Sequence, residues 1–161
     1  MTFLARKLVL AVSMFVAGCG EKSAPATGGD PAGSDEPRGC ATDTEAQPFS
    51  QGMSQIGKNG FKVAIESDPP VPTLGDRSRW RLTLTDATSG EPVADGTTVA
   101  VDCVMTHSDI PSHGCPTRPR VQDTGPGLYE AYPVIFNMTG HWQVNVQIGA
   151  LDSVRFELCV E

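Results

Sequence analysis

The chain of 161 residues carries 19 acidic and 12 basic side chains, a formal charge of -7, so it has no cationic excess with which to hold a phosphate backbone, and nucleic acid is excluded as an expected partner. Seventeen glycines and 13 prolines against only 6% aromatic residues argue against long helices and for short strands joined by turns. With a leader and a tether set aside, roughly 120 residues remain, enough for one two-layer domain.

In chain order, Arg6 and Lys7 precede the apolar run Leu8 to Ala17, which is too short to cross a bilayer and fits the apolar part of an export leader. The run closes on Val16-Ala17-Gly18-Cys19, which resembles the lipobox of bacterial lipoproteins at all four positions. The resemblance implies cleavage before Cys19, so that residues 1–18 are a signal peptide. It further implies a diacylglycerol on the Cys19 sulfur and acylation of the new amino group. Several acyl chains at about 0.8 kcal/mol per buried CH₂ make such an anchor effectively permanent. Gly20 stands where an Asp would signal retention in the inner membrane, so the same resemblance implies an outer-membrane lipoprotein facing the periplasm.

From Gly20 to Gly39 no aliphatic residue is larger than Ala, and residues 19–39 are expected to form a lipidated, disordered tether with a reach of roughly 25 Å. Residues 40–161 are expected to form the folded domain. Near its start, Gly52 to Lys58 imitates a phosphate-binding loop, but Asn59 replaces the Ser or Thr that would hold Mg²⁺ and no apolar strand precedes it. It reads as a glycine-punctuated loop.

Alternation of period two dominates the rest. Trp80, Leu82 and Leu84 share one face of a predicted strand, with Arg81, Thr83 and Thr85 on the other. Trp142, Val144, Val146 and Ile148 repeat the pattern, as do Val154, Phe156, Leu158 and Val160, and these two segments predict an antiparallel hairpin across Gly149 to Ser153. Shorter strands are predicted at 61–66, 97–104, 118–123 and 128–136, with turns at Pro69-Pro70, Ser89-Gly90 and Gly125-Pro126-Gly127. The expected fold is all-β, an immunoglobulin-like antiparallel β-sandwich of about seven strands, with a small barrel as the alternative. Tyr129, just after Gly127-Leu128, is placed like the tyrosine that ties its hydroxyl back to nearby backbone in such folds.

Cys19 apart, four cysteines remain: Cys40, Cys103, Cys115 and Cys159. An even number in an exported chain favours two disulfides. Of the three pairings, Cys103 with Cys115 closes one loop and Cys40 with Cys159 pins the start of the domain to its last strand. The three histidines fall in two stretches, His107 and His113 in the loop 105–116 and His141 beside Met138 and Trp142. Gathered at one end of a sandwich, His107, His113, Met138 and His141 would offer imidazole and thioether ligands suited to copper.

The Trp80 strand, Gly90-Glu91-Pro92-Val93, Pro111-Ser112-His113-Gly114, Gly127-Leu128-Tyr129 and Phe136 to Trp142 together resemble the YtkA-like, FixH-related domain family over most of Arg79 to Val160. The resemblance implies a β-sandwich outside the cytosol with links to metal or respiratory-oxidase biology. Family members often carry Met-Pro-x-His-x-His in the loop. Here His113 matches the first His, whereas Ile110 and Cys115 replace the Met and the second His. The expected function is therefore a membrane-anchored, non-catalytic binding or interaction module with an envelope protein as partner. Copper binding is the alternative and a thiol-dependent enzyme comes third, since no nucleophile elbow, HExxH or acid pair is found.

Overall fold

A computed structural model describes Cys40 and residues 45–106 and 112–161. The expected signal peptide, Cys19, the tether and His107 lie outside the described residues. Ten strands follow in chain order: β1 Gln47–Pro48, β2 Met53–Ile56, β3 Phe61–Asp68, β4 Ser78–Asp86, β5 Val99–Met105, β6 His113–Gly114, β7 Arg120–Gly125, β8 Leu128–Val134, β9 Gly140–Ile148 and β10 Asp152–Val160. They form two five-stranded sheets, one ordered β1-β10-β9-β5-β6 and the other β2-β3-β4-β8-β7. The fold is the expected all-β sandwich.

Three details depart from the expectation. Among the described residues there are ten strands rather than about seven, because β1, β2 and β6 are too short or too polar to show a period. The first sheet is mixed, since β1 pairs parallel with β10. The glycine-punctuated segment 52–59 is not all loop: Met53–Ile56 is a strand, placed by its antiparallel pairing with β3, in which Met53 stands opposite Ile65.

The long strands form where alternation predicts them. Trp80, Leu82 and Leu84 from β4 are buried, as are Trp142, Val144, Val146 and Ile148 from β9 and Val154, Phe156, Leu158 and Val160 from β10. Ring contacts run through the core from Phe49 to Trp80 (5.8 Å), Trp80 to Phe136 (6.0 Å) and Phe136 to Trp142 (5.1 Å), so Phe136 links an indole of one sheet to an indole of the other. Gly127 is required where β8 begins: its φ is +66° and a Cβ there would lie 2.5 Å from the Leu84 carbonyl. Tyr129 is buried, but its hydroxyl has no hydrogen-bond partner among the described residues, so the backbone tie expected of it is not made.

Two disulfides join the pairs favoured by the sequence. Cys40 is bonded to Cys159 with Cα atoms 5.6 Å apart, and Cys103 to Cys115 at 5.3 Å. Cys103 points into the core from β5, and the Cys115 N–H also donates to the Cys103 carbonyl at 2.9 Å. Cys159 lies on the outer face of β10, opposite His141 of β9.

Candidate functional site

At one end of the sandwich, the β2–β3 turn of one sheet meets the β9–β10 turn of the other. The first turn, Gly57 to Gly60, closes with the Gly57 N–H donating to the Phe61 carbonyl at 2.8 Å, and Gly60 takes a φ of +86° that a side chain would resist. The second turn supplies Asp152, only 7% exposed. Its Oδ2 accepts the N–H groups of Asn59 at 3.0 Å and Phe61 at 3.4 Å, and its Oδ1 accepts the N–H of Ser153 at 2.8 Å. Burying a carboxylate is tolerable when several donors meet it, and here backbone amides from both turns do so. Asn59 reinforces the tie by donating its side-chain amide to the Leu151 carbonyl. A Cβ on Gly57 would fall within the Asp152 carboxylate, so only glycine fits there.

This junction is the rim of a cleft of about 500 Å³, lined mainly by Lys58, Asn59, Asn145, Gln147, Ser153 and Arg155. In the β9–β10 register Asn145 stands opposite Arg155 and Gln147 opposite Ser153, so these four outward-facing side chains form a square on the sheet surface. Lys58 reaches the same cleft from the other sheet. Among the described residues Asp152 is the single carboxylate in the lining, and its oxygens are already engaged by backbone donors. The cleft therefore carries two cations and one screened anion on a chain of net charge -7. Gln147 donates Nε2 to the carbonyls of Gly149 at 2.8 Å and Asp152 at 3.0 Å, which leaves its Oε1 as an acceptor. Among the described residues no hydrogen bond is formed by the side chains of Asn145, Ser153 or Lys58. Arg155 makes only a long contact, Nη1 to Glu157 Oε1 at 3.8 Å. The surface thus presents cationic donors and amide acceptors together.

Of the residues proposed as copper ligands, His107 lies outside the described residues, and His113 and His141 fall on opposite faces of the sheet. His113 stands opposite Met105 across β5 and β6, and Met105 stands opposite Trp142, so these three share one face of the sheet. His141, next to Trp142 in β9, projects from the other face, where its Nε2 lies 2.6 Å from Glu157 Oε2. Met138 is partly buried against the core, and its carbonyl accepts the Trp142 indole N–H at 3.0 Å. Gly140 leaves room for the Met105 methyl, which a Cβ would meet at 2.9 Å. Among the described residues no cluster of three or more His, Cys, Asp or Glu side chains is positioned to hold a metal ion.

The cleft escapes a reading of sequence motifs because it is assembled across the two sheets. Its residues are visible only as the polar half of an alternation (Gln143, Asn145, Gln147) and as the discarded Gly57-Lys58-Asn59 segment. Such residues normally do no more than face water.

Comparison with known families and structures gives one match. The model of the YtkA-like family matches residues 57–147, more than half of the chain, from the end of β2 through most of β9. The match starts earlier and ends earlier than the Arg79 to Val160 span of the sequence resemblance. No curated protein and no solved structure matches the chain.

Proposed function

The chain belongs to the YtkA-like family, and from that premise we propose that it is a lipid-anchored envelope protein whose β-sandwich is a non-catalytic binding module. The observation that carries this reading is the division of labour among five cysteines. Cys19 sits at the end of a lipobox, while the other four are paired in two bridges. Such bridges persist in an oxidising compartment, which fits export. A thiol-dependent enzyme loses support because all four domain cysteines are bonded, and a sulfur held in a disulfide is not a free nucleophile. The copper alternative, through His107, His113, Met138 and His141, is weakened by the opposite facing of His113 and His141 and by the engagement of His141 with Glu157. The module reading draws instead on the polar cleft, whose residues bind and orient but include no paired acid and base.

The test is fractionation of cells expressing the full chain. The natural protein should pellet with membranes and take up labelled palmitate. Cys19→Ser should appear in the soluble fraction without label, and a Cys19→Ser protein that still pellets with membranes would refute the anchor.

A further inference from the structure

We propose that the cleft at the junction of the β2–β3 and β9–β10 turns binds an acidic saccharide, a hydroxyl-rich ligand bearing a carboxylate. This rests on the binding-module reading and gives it a ligand class. Lys58 and Arg155 enter one cleft from opposite sheets, Arg155 with only a 3.8 Å contact to Glu157, and the only carboxylate in the lining among the described residues, Asp152, is buried and already accepts three backbone N–H groups. An anion placed between them meets cationic donors, and the charge-assisted bonds available there are the stronger kind. The Arg155 fork suits the two oxygens of a carboxylate.

Charge alone would admit any oxyanion, and the acceptors narrow the choice. Gln147 has both amide protons directed at the backbone and offers only Oε1. Asn59 likewise donates its amide to Leu151 and leaves Oδ1. Asn145 and Ser153 are free to donate or accept. A bare phosphate has oxygens for Lys58 and Arg155 but few or no protons for these acceptors. A sugar acid supplies both, with its carboxylate facing the cations and its hydroxyls facing the amides and Ser153. Among the described residues the lining includes no aromatic side chain, so polar matching rather than ring stacking supplies the selectivity. At about 500 Å³ the cleft lies within the size range of small-molecule sites.

The positions are held rather than accidental. Arg155, Asn145, Gln147 and Ser153 sit on paired strands of a long hairpin. Lys58 is held over them because its turn is bound to Asp152 through the Asn59 and Phe61 N–H groups, and Gly57 permits that approach. Sites on rigid elements cost less ordering on binding.

The experiment uses the full-length protein in detergent, titrated calorimetrically and by amide shifts in nuclear magnetic resonance. The ligands are digalacturonate, neutral galactobiose and inorganic phosphate. Digalacturonate is expected to bind saturably, shifting the amides of Asn145, Gln147 and Arg155, and to weaken as salt rises. Galactobiose and phosphate should bind about tenfold more weakly or worse, and Arg155→Gln and Lys58→Gln should each reduce digalacturonate affinity by about tenfold. Both residues are exposed, so an unchanged melting temperature separates loss of binding from loss of fold. Equal binding of galactobiose would overturn the role of the cations, and equal binding of phosphate would overturn the saccharide. Absence of saturable digalacturonate binding would overturn the proposal entirely while leaving the anchor, tested by fractionation, untouched.

Discussion

Ser67 Oγ, Ser78 Oγ, the Trp80 indole N–H and the Tyr129 hydroxyl are buried without a hydrogen-bond partner among the described residues. A buried hydroxyl left unpaired costs about 1–3 kcal/mol relative to one that is bonded. Ser78→Ala should therefore leave stability unchanged or raise it by up to about 1 kcal/mol, read from the midpoint of a urea titration; a clear loss would show that the hydroxyl has a partner after all. Tyr129 adds a pH dependence. Burial pushes its phenol above the ordinary 10.0 and the nearby Asp123 carboxylate pushes the same way. The Thr97 side chain offsets part of the rise, though it lies outside ordinary hydrogen-bond geometry, and Asp95 adds to it. A phenol whose folded-state value is raised contributes its stability fully below the unfolded value and loses it as pH climbs through the folded one. The protein should lose stability above about pH 10, and Tyr129→Phe should flatten that loss in melting curves taken across the alkaline range.

The junction of the β2–β3 and β9–β10 turns is the element whose failure should be most visible. Gly57→Ala places a methyl within the Asp152 carboxylate, and overpacking of this kind costs about 1–3 kcal/mol. Hydrogen exchange should show the β2–β3 turn opening first, with Lys58 losing its place in the cleft. If exchange at Asn59 and Phe61 stays as slow as in the natural protein, the turn is not held by Asp152. Nothing in the sequence announces this contact, because Gly57 and Asp152 are 95 positions apart and each looks like ordinary turn punctuation. The strands were legible for the opposite reason. In β4, β9 and β10 the apolar half of the alternation is long enough to state which face is inward. In β2 only Met53 is buried, and its pairing with β3 decides its conformation. The histidines show the same division: their chemistry can be read from residue type, but the face each one occupies follows from strand register.

At the scale of the molecule, the two bridges act over very different spans, a sequence separation of 119 for Cys40–Cys159 and 12 for Cys103–Cys115. If a disulfide stabilises by restricting the unfolded chain, the long bridge is worth up to about 4–5 kcal/mol and the short one about 3 kcal/mol. Replacing Cys40 and Cys159 together by Ala should lower the denaturation midpoint and steepen the dependence on denaturant, because the unfolded chain expands. An unchanged midpoint and slope would mean that the bridge adds nothing beyond the native packing.

The long bridge also decides how the molecule answers to tension. Cys40 precedes every described strand, and Cys159 lies in the last of them, β10. A force applied across the domain, from before Cys40 to beyond Cys159, enters at one sulfur and leaves through the other, so it passes around the sandwich instead of through it. No strand between them is peeled or sheared while the covalent shunt holds, and only its chemical reduction would expose the fold to mechanical strain.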